Sequence, residues 1–196
     1  MKRRISRQDI IDAGLELMFL NGYHDTGIKD ITVKVGIPKG SFYNHFSSKE
    51  EFGLEMVRNY MENGLQNHQS KFLDETKSPR ERILNFYTSN INWLTNQANF
   101  TLGCIMSNFS VEMADINENF RELLSTGFKE QEEVIVRCIV EGQNIGEIRT
   151  DVTAKLLGSS LLNGWHGALV RMKAEASVDP LEDFLRFNVG MLWEKA

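Results

Sequence analysis

An all-α fold is what this sequence predicts, and three observations carry the prediction. Apolar residues recur at three- and four-residue intervals through almost every stretch of the chain. Helix caps punctuate it, most clearly at Ser78-Pro79-Arg80-Glu81 and Asp179-Pro180-Leu181-Glu182, where an N-cap, an N1 proline and an N3 glutamate stand in order. No run of four or more alternating β-branched residues lies between turn signals. The expected architecture is a three-helix head over residues 1–49, continuous with a helical body over residues 50–196. The sequence has no internal repeat and no low-complexity tract.

Taken in order, Ser6-Arg7-Gln8-Asp9 forms a capping box that opens the first helix. Ile11, Leu15 and Met18 supply its inner face, and Asn21-Gly22 stops it. Gly14 lies inside it at a cost of about 1 kcal/mol against alanine, which predicts a locally loose helix. Ile28, Ile31 and Val35 mark a second helix, ended by Gly36, since glycine takes a left-handed stop without a Cβ clash. Pro38 opens a third, expected to reach Phe46, with Phe42 and Phe46 inward. Ser48 followed by Glu51 caps a fourth, running to about Leu73 through Phe52, Met56, Tyr60 and Phe72.

The fifth helix, from Pro79 to Gln97, turns Ile83, Tyr87, Ile91 and Leu94 inward. After a break ending in Gly103 a sixth starts near Cys104, with Ile105, Met106, Phe109, Val111 and Met113 as its apolar positions. The seventh buries Phe120, Leu124, Phe128, Ile135 and Ile139 and stops within residues 142–146. Thr150-Asp151 starts the eighth, which carries Leu157, Leu161, Trp165, Leu169 and Met172, and Asp179 caps the ninth.

Composition removes several functional classes. Apolar residues at 41% and charged residues at 25% are ordinary for a globular protein. No apolar run approaches the roughly 20 residues a membrane helix needs, so no membrane partner is expected. The basic first residues lead into no apolar segment of the signal-peptide kind. Cys104 and Cys138 are too few for a disulfide framework, and a cytoplasmic location is expected. His24, His45, His68 and His166 lack metal-ligand spacing, and no P-loop, dinucleotide fingerprint or nucleophile elbow occurs. Neither a cofactor, a metal nor an enzymatic reaction is expected.

Charge is distributed unevenly. The net charge of −5 conceals eight Lys/Arg against five Asp/Glu in residues 1–49, and fourteen against twenty-two in the remainder. A basic head on an acidic body suits a protein that meets phosphate at one end.

Two short helices on a glycine turn between Thr26 and Phe46 describe a helix-turn-helix, whose second helix enters the DNA major groove. Lys39, Ser41, Tyr43, Asn44 and His45 share its polar side. Residues 10–53 also hold Ala13, Leu17, Gly22-Tyr23, Thr26, Ile31, Gly36-Ile37, Lys39-Gly40-Ser41, Tyr43, His45-Phe46 and Ser48-Lys49-Glu50 in series. In that series the head resembles the DNA-binding domain of the TetR family of bacterial repressors. Gly14, Gly27 and Thr32 depart from the usual pattern, none at a base-reading position. The resemblance implies that Lys39, Gly40, Ser41, Tyr43 and His45 lie along the groove, while Thr26 and Lys49 approach phosphates of double-stranded operator DNA. Arg3, Arg4 and Arg7 form either a groove-reaching arm or an unstructured tail.

The body is expected to dimerise and to hold a small effector. Leu161, Gly164 and Ala168 make one stripe on the eighth helix, and the ninth is apolar on more than one side, including Phe184, Leu185 and Leu192. A second copy would cover them, as the resemblance implies for the last two helices; an internal core is the alternative. Phe86, Trp93, Phe109, Met113, Phe128 and Trp165 supply an aromatic and methionine lining with Asn90, Glu112 and His166 as polar contacts, or else plain core. Residues 103–121, with the PKGSFYNHF and SKEEFG segments, resemble an electrophile-sensing subgroup of the family with a cysteine matching Cys104. That implies either a thiol switch at Cys104 or a small apolar lining residue. The function expected is sequence-specific repression released by an effector, with a helical enzyme or adaptor as the competing class.

Overall fold

Side-chain caps start several of the helices in the computed structural model, which describes residues 5–98, 100 and 102–193. In α1 (Arg7–Asp25) the Ser6 hydroxyl accepts the Asp9 N–H at 3.1 Å, and the Asp9 carboxylate accepts the Ser6 N–H at 2.8 Å. The helix breaks where expected, at Gly22, whose φ of 80° leaves the helical region. Gly36, at φ 73°, ends α2 (Ile28–Val35).

The recognition element is shorter than the spacing predicts. α3 (Lys39–Phe42) is one turn, and residues 43–46 continue as tighter turns in which His45 N–H donates to Phe42 O at 2.9 Å. α4 (Lys49–Phe72) has an offset cap. The Ser48 hydroxyl accepts the Glu51 N–H at 3.0 Å, but the Glu51 carboxylate reaches back to the N–H of Ser47 at 2.8 Å.

Then follow α5 (Pro79–Asn96), α6 (Ile105–Met113), α7 (Glu118–Asn144) and α8 (Ala154–Glu175). α8 begins after the expected Thr150-Asp151. Arg149 Nε takes the Asp151 carboxylate at 2.8 Å, and the Thr153 hydroxyl accepts the Leu156 N–H at 3.3 Å instead. α9 (Asp179–Phe184) widens into a π turn (Leu185–Val189) and closes with a 3-10 turn (Gly190–Leu192). No strand occurs among the described residues.

The chain divides into two compact units. One comprises Met1–Glu62 with Ile105–Ser125, and the other Asn63–Cys104 with Thr126–Ala196. α6 and the start of α7 therefore pack with the head, far from it in sequence.

Inside the first unit Phe42, Phe46 and Phe52 form a fully buried cluster with ring centroids 4.9–5.4 Å apart. A Cβ at Gly14 would lie 2.2 Å from Phe52 Cζ. Gly14 is thus a packing device rather than a loose point: α1 lacks a side chain where the Phe52 ring lands. A second cluster joins Tyr23 to Phe109 and Phe120 at 5.5 and 5.4 Å, over Gly53.

The second unit is centred on Tyr87, Trp165 and Phe184, with centroids 4.9–5.5 Å apart, and on Phe72, Phe86 and His68. Arg82 is buried and closes the turn between α4 and α5. Its Nε donates to the carbonyls of Asp74 and Lys77 at 2.7 and 2.8 Å, and its Nη1 pairs with Glu141 at 2.6 Å. Of the apolar positions on α6, Val111 is 86% exposed while Ile105, Met106, Phe109 and Met113 are buried.

Two consequences can be measured. Gly14→Ala gains about 1 kcal/mol of helix propensity, yet the Phe52 ring is hemmed in by Phe42 and Phe46 and cannot swing aside. Overpacking of about 1–3 kcal/mol should prevail, so the variant should melt several degrees lower in calorimetry; a higher melting temperature would refute the close approach.

The second concerns pH. Burial pulls the His166 pKa down to about 4 and also lowers that of His68. The unfolded chain then takes up a proton near pH 6.5 that the folded chain refuses, so stability present above pH 6.5 is lost as pH falls toward 4. Urea melts at pH 7 and pH 5 should differ by a His166-dependent part on the order of 2 kcal/mol. That part should vanish in His166→Gln.

Candidate functional site

The polar face of the recognition element is presented to solvent. Lys39, Gly40, Tyr43 and Asn44 are exposed, and Ser41 and His45 partly so, while Phe42 and Phe46 turn into the aromatic cluster beneath. A Cβ built at Gly40 would meet nothing within 4 Å. No packing inside the protein requires glycine there.

Arg7 anchors this element from behind. Its guanidinium donates to the His45 carbonyl and to Glu55, with Nε to Oε1 at 2.6 Å, and lies 4.1 Å over the Phe46 ring. The Glu55 hydrogen bond is the main influence raising its pKa. Arg7 therefore belongs to α1 and holds the recognition turn in place, which corrects its reading as part of a groove-reaching arm. Arg3 and Arg4 fall outside the described residues.

The two expected phosphate contacts are placed differently from that reading. Thr26 is fully buried, and its hydroxyl donates to the Gly22 carbonyl at 2.8 Å, so its side chain faces the bend instead of solvent. Lys49 Nζ donates to the His24 carbonyl at 3.3 Å and lies 4.4 Å over the Tyr23 ring. Burial lowers its pKa, while Glu112, Asp25 and Asp30 pull it back up. A phosphate contact by Lys49 would exchange these internal partners.

The expected effector lining falls into separate groups. Phe109 and Met113 are core of the first unit, and the Glu112 carboxylate accepts the N–H groups of Tyr23 and His24. These three serve the head; helical spacing places them on one face of α6 but does not say which unit that face meets.

The others lie in the second unit. Phe86 packs on Phe72, and Asn90 turns its amide onto the Phe86 carbonyl at 2.8 Å. Trp93 is half exposed, His166 meets Phe128 edge-on at 5.2 Å, and Trp165 belongs to the Tyr87 cluster. Phe86 and Asn90 also line a groove of about 430 Å³ with Asn67, Lys71, Asn85 and Ser89. Cys104 is buried immediately before α6, and burial pushes the Cys138 thiol up to about 12. Among the described residues no three His, Cys, Asp or Glu side chains converge on a metal position, and no helix is long and apolar enough to cross a membrane.

The expected dimer stripe proves to be an internal seam. Leu161, Ala168, Phe184 and Leu192 are buried within the chain, and Leu185 is half-buried. A Cβ at Gly164 would stand 2.8 Å from Asn188 Nδ2 and 3.1 Å from the Phe184 ring. That face of α8 meets the chain's own α9. The exposed apolar residues lie at other positions, Leu156 and Val170 on α8 and Phe187 and Met191 beyond α9. The signal for the α8 pair is present in the sequence, since Leu156, Ser160, Asn163, Gly167 and Val170 keep four-three spacing. The stripe beside them, through Leu161 and Ala168, is the more apolar of the two.

Comparisons with known proteins agree with this architecture. Residues 10–56 match the family described as bacterial regulatory proteins, tetR family, and residues 79–187 match the tetracyclin repressor-like C-terminal domain. The chain is 35% identical over 185 residues to the HTH-type transcriptional repressor DhaR of Mycobacterium sp. strain GP1, covering 94% of this chain and 91% of that one. It is 25% identical over 181 residues to the repressor NemR of Escherichia coli K12, covering 92% and 90%. The crystal structure of a regulatory protein TetR from Rhodobacter sphaeroides superposes with a TM-score of 0.90 at 29% identity, covering 96% and 99%. Head and body together therefore show that the chain belongs to the TetR family, DNA-binding transcriptional regulators with a helical C-terminal ligand-binding domain.

Proposed function

We propose that this chain is a homodimeric repressor that reads operator DNA through α3 and the turns after it, and releases it when the body binds a small effector. Gly40 carries the reading. A glycine in a one-turn helix weakens it, and nothing inside the protein compensates, whereas a bare backbone beside Lys39, Ser41 and Tyr43 permits close approach of DNA. Tyr43, Asn44 and His45 add exposed donors and acceptors. DhaR and NemR, both named as repressors, support the sign of regulation.

Two copies are needed because a palindromic site presents its half-sites about 34–36 Å apart. Leu156 and Val170, together with Phe187 and Met191, form the surface for the second copy. For the effector, the geometry supports a binding body more than a thiol switch, since Cys104 is buried. A ligand that favours a dimer with another spacing lowers DNA affinity by its differential binding to the two states.

DNA selected from the source genome, followed by fluorescence anisotropy, tests the first part. Tyr43→Ala should weaken binding about tenfold, roughly 1.4 kcal/mol. Lys39→Ala should flatten the dependence on log salt by about one unit. Unchanged isotherms in both would remove α3 from the mechanism.

Sedimentation tests the second part. Phe187→Asp should give a folded monomer that no longer binds DNA, whereas Gly164→Leu should lower the melting temperature by striking Phe184 of its own chain. A dimer surviving in Phe187→Asp would place the interface elsewhere.

A further inference from the structure

Glu112 does something that neither DNA contact nor core packing requires. Its Oε2 accepts the N–H groups of Tyr23 at 2.8 Å and His24 at 3.2 Å. These are successive residues just after the break at Gly22, and their N–H groups converge on one oxygen, an anion-binding arrangement of the backbone. A Cβ at Gly22 would stand 2.6 Å from Glu112 Oε1. Position 22 thus needs glycine for its φ of 80° and again to admit the carboxylate.

Two carbonyls and the aromatic ring at the bend are engaged as well. The Gly22 carbonyl accepts the Thr26 hydroxyl at 2.8 Å, and the His24 carbonyl accepts Lys49 Nζ at 3.3 Å. The Tyr23 ring packs on Phe109 of α6 and Phe120 of α7 and carries Lys49 on its face. The bend leads into α2 within a few residues, so whatever fixes it fixes the entry to the helix-turn-helix. Glu112 is the charged group on α6 that does so.

We propose, on the reading that the head binds DNA, that Glu112 is a positioning residue: a latch from α6 that holds the α1–α2 bend, and with it the recognition element, in the DNA-binding arrangement. Withdrawal of its carboxylate by a shift of α6 releases the Tyr23 and His24 N–H groups and removes the charge that attracts Lys49. DNA affinity then falls without any change in the residues that face the groove.

The test uses the full-length protein with Glu112→Ala and Glu112→Gln. Glutamine keeps a carbonyl oxygen able to accept the same N–H groups and loses only the charge. Glu112→Ala should bind DNA at least about tenfold more weakly than wild type, and Glu112→Gln should recover to within about threefold. Amide exchange at Tyr23 and His24, read by NMR, should accelerate in Glu112→Ala and return toward wild type in Glu112→Gln, with Phe42 and Phe46 protected throughout. Wild-type affinity in Glu112→Ala would overturn the latch, as would a glutamine variant as impaired as the alanine one. If Glu112→Ala does not fold, slow exchange of both amides in Glu112→Gln still supports the latch, and fast exchange overturns it. Failure of the wild type to bind any DNA would sink the underlying reading instead; the exchange comparison needs no DNA and judges the latch separately.

Discussion

The seating of the Phe52 ring on the bare backbone of Gly14 is the contact on which the head depends. α3 is a single turn and has too few internal hydrogen bonds to hold its own shape. What keeps it in place is burial of Phe42 and Phe46 against Phe52, each fully buried aromatic side chain contributing about 1.5–3 kcal/mol. Phe52 can lie that close to α1 only because position 14 has no side chain. Arg7 then secures the C-terminal end of the element by holding the His45 carbonyl, with Glu55 neutralising it. The polar face is free to be exposed because its apolar underside is so firmly held.

Much of the fold is legible in the sequence alone. Local chemistry sets helix starts and stops, so the Ser6 and Ser78 boxes and the Gly22 and Gly36 breaks could be read directly. Local signals mislead where two of them compete. Asp151 reads as a cap until Arg149 takes its carboxylate. Glu51 reads as the partner of Ser48 until Ser47 receives it. In each case a side chain had two partners within reach, and periodicity does not choose between them.

The site was less legible than the fold, for a related reason. The spacing of Lys39, Tyr43 and Asn44 announces an exposed polar face, and they are exposed. Thr26, by contrast, looks like a helix-start residue, and only the path of the backbone through Gly22 shows that its hydroxyl points inward. Glu112 and Phe109 belong to an aromatic and polar stripe that would suit a ligand equally well. Their partners lie almost ninety residues earlier in the chain, beyond what a window of sequence can reveal. On α8 two apolar stripes run side by side, and the more hydrophobic one faces its own chain. Hydropathy ranks such faces; it does not say whose surface covers them.

The first unit is assembled from two distant pieces of chain, Met1–Glu62 and Ile105–Ser125, and this bears on how the protein is made. The Tyr23 ring and the bare backbone of Gly53 wait for Phe109 and Phe120 to cover them. At ribosomal rates of 5–20 residues per second, the wait from Glu62 until Phe120 is made is roughly 3–12 s. During that time the nascent head carries its basic surface without its finished core. The Phe42–Phe46–Phe52 side of the head is thus complete in the first piece, whereas the Tyr23 side closes only after α6 and the start of α7 emerge.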